Sequence, residues 1–404
     1  MLIDREIEGE LLQLLKEYPV VTLLGPRQAG KTTLSKTLTS GLSRLQGEVY
    51  EYCNLEIPEN REFATDDPKA FLRQFKGKVV LDEIQRVPEL LSYIQARVDV
   101  NQINGEFVLT GSHQLELKAA IGQSLAGRTG ILNLLPLSIA EMTRVNICFD
   151  RFEAYAFHGF LPRIHDQKQR PRRAWSNYYQ TYVERDVRLL IHLKDASLFE
   201  KFIKLLAGRV GQVLNLSSLA NDVGVDAKTI RQWLSILEAS FIIFKLSPYF
   251  ENFGKRVIKS PKYYFIDVGL LVFLLGIENP DQVSRDPLVG AIFENLVVIE
   301  CLKMRLNQGK PANLYYYRDS NGNEIDLLLQ QGRSLAAIEI KSSSTYHASQ
   351  FTPIDRIKQR TDRITRSVLV YNGERRELSR GRDMFHFDQV TLIEGELEKS
   401  GSEL

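Results

Sequence analysis

Short apolar runs broken by glycine turns, each followed by a stretch of helical spacing, mark the first third of this chain. Val20-Val-Thr-Leu-Leu24 is apolar and β-branched, as a buried strand is, and Thr32-Thr-Leu-Ser-Lys-Thr-Leu38 carries apolar residues at helical intervals. Further strands are predicted at Val49–Cys53, Lys78–Glu83, Phe107–Ser112 and Ile131–Leu135. Residues 138–205 read as a helix-rich connector in which Tyr178, Tyr182 and Arg185 fall at core-and-rim spacing. Leu216–Leu237 reads as two helices about Gly224, the second capped by Asp226, with Ile230, Trp233 or Leu234, and Leu237 inward and Lys228, Arg231, Gln232 and Ser235 outward. Strands at Phe241–Leu246 and Lys262–Ile266 follow, around a basic turn, Lys255-Arg-Val-Ile-Lys259, and complete a winged-helix pattern. The stretch from Gly276 to Pro287 is rich in turn formers and reads as a linker. Beyond it come an amphipathic helix at Leu288–Leu302 and strands at Leu314–Arg318, Glu324–Leu329 and Leu335–Lys341.

The chemistry sits where strands end. Gly25, Pro26, Arg27, Gln28, Ala29, Gly30, Lys31 and Thr32 complete the pattern G-x-x-x-x-G-K-S/T between the first strand and its helix, with Thr33 next in line. Such a turn aims several backbone N–H groups and the positive end of a helix dipole at one point, which suits a polyphosphate. Lys78–Glu83 closes on two carboxylates, so Asp82 is expected to hold Mg²⁺ together with Thr32, and Glu83 to polarise the attacking water. The same pair also reads as a helix cap before Pro88, and both readings are compatible. Ser112, at the end of the next strand, is placed to sense the last phosphate. Arg128, in a glycine turn, is either a γ-phosphate arginine in its own or a neighbouring subunit, or a surface arginine.

A second constellation lies near the end. Alternation puts Glu339 and Lys341 on one strand face, and pairing with the strand of Asp326 would bring the carboxylates together, with Glu294 supplied by the helix before them. Acids around Mg²⁺ with a neighbouring lysine are what metal-assisted phosphodiester hydrolysis requires. Residues 285–395 resemble the PD-(D/E)xK nuclease fold on Asp326, Glu339, Lys341 and Glu294, although Ile325 stands where a proline is usual. The alternative is an ordinary α/β domain with solvated strand ends.

Bulk properties add limits. The 404 residues, 44% apolar and 25% charged, fit a globular chain of two to four domains, and a net charge of +2 gives no global case for nucleic acid. Cys53, Cys148 and Cys301 are too dispersed for a disulfide framework or a zinc site. No apolar stretch is long enough for a membrane span and no signal-like N-terminus is seen, so a cytoplasmic protein without membrane contact is expected.

The order Gly25–Thr32, Leu81–Gln85, Leu109–Ser112, Leu125–Arg128, Tyr182–Asp186 and Glu339–Lys341 resembles, over nearly the full length, the prokaryotic AAA-type ATPases that carry the C-terminal domain of unknown function 4143. The resemblance implies an α/β chain: an AAA-type P-loop core at 1–137, a helical lid at 138–205, a winged helix at 206–275 and a restriction-endonuclease-like domain at 285–395. It implies ATP and Mg²⁺ as cofactors, ATP hydrolysis and a homo-oligomer. The expected activity is an ATPase acting on DNA, with strand Tyr315–Arg318 and the run Arg356–Arg366 as backbone contacts. A nucleotide-gated regulatory switch whose winged helix and tail only bind partners or DNA is the alternative.

Overall fold

The computed structural model describes residues 3–39, 49–112, 122–187, 196–250, 258–374, 376–378 and 382–394. They form two compact units: residues 1–137 with short returns at 239–241 and 306–310, and the remainder.

In the first unit β1 (Val20–Leu24), β2 (Glu51–Asn54), β3 (Val79–Asp82), β4 (Phe107–Gly111) and β5 (Thr129–Asn133) make one sheet, ordered β2-β3-β4-β1-β5, in which every pairing is parallel. β1, β3 and β4 are buried at every position. That explains their unbroken apolar runs, since a strand covered on both faces has no use for alternation. Helix Glu8–Glu17 buries Leu11 and Leu15 against Val21, Leu23, Val108 and Leu132. A parallel sheet presents all its carboxyl ends along one edge, and helix Lys31–Thr39 starts there.

The second unit builds an eight-stranded mixed sheet from β6 (Ile243–Pro248), β7 (Lys262–Phe265), β8 (Leu314–Arg318), β9 (Glu324–Gln331), β10 (Ser334–Lys341), β11 (Ile364–Tyr371), β12 (Arg376–Leu378) and β13 (Arg382–His386). Its order is β12-β13-β11-β10-β9-β8-β6-β7. β6 and β7, expected around a wing, pair antiparallel and then join β8 through Ser247 and Tyr315. Residues 255–257 of the basic turn lie outside the described residues. Ahead of β6, helices Leu216–Val223 and Ala227–Ala239 are joined through Gly224, whose φ of +96° is left-handed backbone. Asp226 Oδ1 accepts from the Thr229 amide at 2.7 Å. Ile230, Trp233, Leu234 and Leu237 are buried, and Lys228, Arg231, Gln232 and Ser235 are exposed, as their spacing predicts. Tyr178 and Tyr182 are core; the side chain of Arg185 lies outside the described residues.

Three expectations are corrected. The stretch Gly276–Pro287 holds a helix, Pro280–Arg285, instead of an open linker. Its turn formers are a cap, with Asn279 Oδ1 accepting from the Gln282 amide at 3.0 Å and proline in the first turn. Strand Tyr315–Arg318 offers little to a nucleic acid: Tyr316 and Tyr317 are fully buried and Arg318 pairs with Glu324 at 3.2 Å. In the run Arg356–Arg366, Arg360 holds Asp319 at 3.3 Å, Arg363 donates to the Tyr249 hydroxyl at 2.9 Å and Arg366 pairs with Asp383. For Arg360, Arg363 and Arg366 the distant acid or hydroxyl that engages the cation is invisible in local sequence.

The helix at Val289–Asn307 is longer than expected and covered on its polar side as well. There Glu300 accepts from the Ile139 amide at 2.9 Å and from Lys303 Nζ at 2.7 Å, and both side chains of the ion pair are about fully buried. Removing one member of such a pair costs about 3–5 kcal/mol. Glu300→Ala is therefore expected to lower the unfolding free energy of the second unit by that amount, read as a lower urea midpoint at an unchanged m-value. An unchanged midpoint contradicts the pairing.

Candidate functional site

The first site is assembled at the carboxyl ends of β1, β3 and β4. After Leu24 the chain turns at Gly25, where a side chain would collide with the carbonyl oxygen of Leu134. Gln28 and Gly30 take positive φ values of 63° and 97°, and Ala29 between them is buried. This backbone is fastened from below by Arg5, which sequence reading missed: its guanidinium donates to the carbonyls of Ala29 and Leu135, each at 2.6 Å. Lys31 is buried and folds back on the loop, with Nζ donating to the Gly25 carbonyl at 2.9 Å and the Pro26 carbonyl at 2.8 Å. Burial lowers its ammonium to about 8 despite the nearby charges of Glu83 and Asp82. Thr33 follows on the helix, and Arg27 stands within 3.9 Å of Glu56.

Asp82 is the hub. Its Oδ2 accepts from the Thr32 hydroxyl at 3.0 Å and from the Tyr52 hydroxyl at 2.5 Å, while its Oδ1 accepts from the Thr110 hydroxyl. Burial, and then the bond to Asp82, push the Tyr52 phenol far up, so it stays a donor. Thr110 Oγ1 in turn accepts from the Glu83 amide at 3.0 Å. Glu83 sits in left-handed backbone at φ 61°, a conformation rare for a side chain of its kind. That twist sends its carboxylate to Gln85 and Ser112: Gln85 Nε2 donates to Glu83 Oε2 and, at 3.2 Å, to Ser112 Oγ, which donates to Glu83 Oε2 at 3.3 Å. Lys31, Thr32, Asp82, Glu83 and Ser112 are therefore in one place. Gln85 and Thr110 stand in the quoted motifs without a role of their own, and Tyr52 occupies an unremarkable strand position that only the register of β2 and β3 reveals.

Arg128 is elsewhere. It precedes β5, its carbonyl accepts from the Val20 amide, and its guanidinium pairs with Asp99 at 2.5 and 2.9 Å. Since β1 and β5 run parallel from Val20 and Thr129, it stands at the sheet edge opposite the glycine turn, about 15 Å away along five residues of strand.

In the second unit β9 and β10 pair antiparallel up to Leu327 and Ile338, which brings Asp326 beside Glu339. Asp326 Oδ2 accepts from the Ile340 amide at 2.9 Å, and Lys341 Nζ stands 3.0 Å from Asp326 Oδ2 and 2.9 Å from Glu339 Oε2. The other Glu339 oxygen is buried without a hydrogen-bond partner. Burial, and then Asp326, push the Glu339 carboxyl up to about 8, against the pull of Lys341. Burial works to lower the Lys341 ammonium, but Asp326 and Glu339 outweigh it and hold it above its ordinary value. Glu294 belongs to the same neighbourhood, near enough for the charge of Asp326 to raise it, although burial is the larger cause. It is bound by residues that sequence reading passed over. Lys262 Nζ lies 3.1 Å from Glu294 Oε1 and 2.7 Å from Glu324 Oε1, and the Tyr264 hydroxyl donates to Glu294 Oε1 at 2.5 Å. The four expected groups are gathered, yet two ammonium groups already stand between the carboxylates. Among the described residues no three His, Cys, Asp or Glu side chains are disposed to hold a metal ion.

Lys31 yields a prediction. A bound polyphosphate surrounds its ammonium with negative charge and restores its ordinary value, whereas in the free protein that value is about 8. Binding therefore takes up a proton above pH 8. ADP affinity, followed by calorimetry in buffers of different ionisation heat, is expected to be level below pH 8. Above it the affinity falls by up to about tenfold per pH unit. A level profile to pH 9.5 contradicts this.

Comparison with known proteins places the geometry. The model of an AAA domain matches residues 17–143, and two models of domains of unknown function, DUF8612 and DUF4143, match residues 149–281 and 289–389. An uncharacterized protein of Mycobacterium tuberculosis and one of Mycobacterium bovis are each 32% identical over 380 residues, covering 93% of this chain and 82% of theirs. An uncharacterized protein of Haemophilus influenzae is 25% identical, over 73% of this chain and 77% of its own. Among solved structures, a Walker-type ATPase of Pyrococcus abyssi is 16% identical and covers 68% of this chain and 96% of that one, with a TM-score of 0.41. AMPPCP-bound DnaA of Aquifex aeolicus is 13% identical and covers 57% and 85%, with a TM-score of 0.30. No helix among the described residues is long and apolar enough to cross a membrane.

Proposed function

This chain belongs to the family of the mycobacterial proteins that it matches over most of their length, and we propose that it is an AAA-type ATPase whose second unit acts on DNA. One observation carries the first half: the Thr32 hydroxyl and the Asp82 carboxylate meet at 3.0 Å beside Lys31, with Glu83 fixed by Ser112 and Gln85. ATP lies with its phosphates against the Gly25–Thr33 backbone, and Lys31 exchanges its two carbonyl partners for phosphate oxygens. A hydroxyl and a buried carboxylate side by side are donors that suit Mg²⁺, so Thr32 and Asp82 would hold it. The ion supplies charge neutralisation of the transferring phosphoryl group. Glu83 takes the proton of the attacking water, and Ser112 and Gln85 keep its carboxylate in place. Arg128, exposed on the far edge of the sheet, serves the γ-phosphate of a neighbouring copy in a homo-oligomer.

In the second unit helices Leu216–Val223 and Ala227–Ala239, with β6 and β7, act as a winged helix, and Lys228 and Arg231 face the duplex. Asp326, Glu339 and Glu294 with Lys341 act as a nuclease-like site. Asp326 and Glu339 hold Mg²⁺, for which the partnerless buried oxygen of Glu339 is a fitting donor. The lysines lodged between these carboxylates favour a second reading, a nucleotide-gated switch whose winged helix and tail bind DNA or partners without cutting.

Lys31→Ala is expected to abolish ATP binding, and Glu83→Gln to bind ATP normally while turnover falls about 10²–10⁴-fold. Undiminished turnover in Glu83→Gln removes that residue from the reaction. Plasmid incubated with Mg²⁺ is expected to be nicked by the full chain and not by Lys341→Ala. Duplex binding should weaken in Lys228→Ala/Arg231→Ala, and its salt slope should become shallower by about 1–2. Binding without nicking selects the switch, and loss of neither property in the variants overturns the DNA reading.

A further inference from the structure

Lys262 was read as part of a wing strand, yet its side chain is 2% exposed and ends among carboxylates. Along β7, Lys262 and Tyr264 share a face and both reach Glu294, the lysine at 3.1 Å and the phenol at 2.5 Å. The same ammonium is 2.7 Å from Glu324 at the start of β9, two residues before Asp326. Gly211, at φ +71°, closes the opposite side: a Cβ there would stand 3.5 Å from the Glu294 carboxylate. Four carboxylates, Glu294, Glu324, Asp326 and Glu339, thus meet two ammonium groups, with the Arg318 guanidinium on the other oxygen of Glu324 at 3.2 Å. The two ammonium groups differ in freedom. The Lys341 side chain is 37% exposed and can swing into solvent, leaving Asp326 and the partnerless Glu339 oxygen to a cation. Lys262 has no such exit, since moving it strands a buried charge.

Resting on the reading of Asp326 and Glu339 as a divalent-ion site, we propose that Lys262 is a built-in cation. It occupies the place of a second metal between Glu294 and Glu324, so that the acid site takes one divalent ion and never two. The β7 strand is then a wall of this site, and the duplex contacts of the winged helix fall to its helix pair. Glu294 and Glu324 are positioning residues held by Lys262 and are not ligands of the ion. Methionine keeps the length and apolar stem of Lys262 but removes the charge, which leaves two adjacent carboxylates that a divalent ion satisfies.

The test counts Mn²⁺ bound to the nucleotide-free full chain by equilibrium dialysis, with circular dichroism and thermal melting as checks of folding. Wild type is expected to bind one ion that Asp326→Asn/Glu339→Gln loses. Lys262→Met should bind two, the added one being lost in Lys262→Met/Glu294→Gln, and Lys262→Arg should stay at one. Glu294→Gln/Glu324→Gln in the presence of Lys262, a variant that keeps the lysine should Lys262→Met fail to fold, is also expected to stay at one. A folded Lys262→Met with the wild-type count, or loss of the ion in Glu294→Gln/Glu324→Gln, overturns the proposal. A wild type that binds none, beside a Lys262→Met that gains one, defeats the reading of Asp326 and Glu339 and leaves the role of Lys262 standing.

Discussion

Everything at the first site hangs on one buried carboxylate. Asp82 ends strand β3 and collects hydroxyl groups from three directions: Thr32 from the helix behind the glycine turn, Tyr52 from β2 and Thr110 from β4. A carboxylate withdrawn from water must be satisfied by donors, and here the donors come from the elements that a phosphate site needs to have aligned. Through Thr110 the same hub fixes the amide of Glu83, and the left-handed twist there aims the second acid away from the first. The two adjacent acids are thus given separate surroundings, one enclosed by hydroxyls and the other held by Ser112 and Gln85.

The second unit settles a similar electrostatic problem differently. Its carboxylates come from the helix Val289–Asn307 and from strands β9 and β10, and their repulsion is met by ammonium groups from β7 and β10. Because β6 pairs with β8, the two strands that look like a wing in the sequence extend the eight-stranded sheet, with β7 at its edge. The helix pair before them keeps a polar outer face, with Lys228 and Arg231 exposed.

Much of this was legible before the structure. Fully buried parallel strands leave unbroken apolar runs, so Val20–Leu24 and Phe107–Gly111 announced themselves, and the glycine turn between strand and helix named its own chemistry. The i, i+2 relation of Glu339 and Lys341 and the expected pairing with Asp326 also followed from strand geometry alone. What stayed hidden depends on long-range contacts. Arg5 reaches Leu135 across 130 positions, and Lys262 reaches Glu294 across 32, and neither stands in a motif. Aromatic and basic runs misled for the same reason: Tyr316, Tyr317, Arg360 and Arg366 resemble a nucleic-acid surface until the acids and core beneath them are seen. For Arg128 the sequence leaves its own subunit, a neighbouring one and a surface role open, because a turn next to a strand does not reveal which end of the sheet it occupies.

The central claim is that Lys31, Thr32, Asp82 and Glu83 form one site for a nucleoside triphosphate and its metal ion. A crystal structure with Mg²⁺ and a non-hydrolysable ATP analogue tests it most directly. The account predicts phosphates along the Gly25–Thr33 backbone and Lys31 Nζ drawn off the carbonyls of Gly25 and Pro26 onto phosphate oxygens. The ion should lie between Thr32 and Asp82, with Glu83 facing the terminal phosphate. A saturating analogue that leaves this loop empty, or is found elsewhere on the chain, contradicts the account.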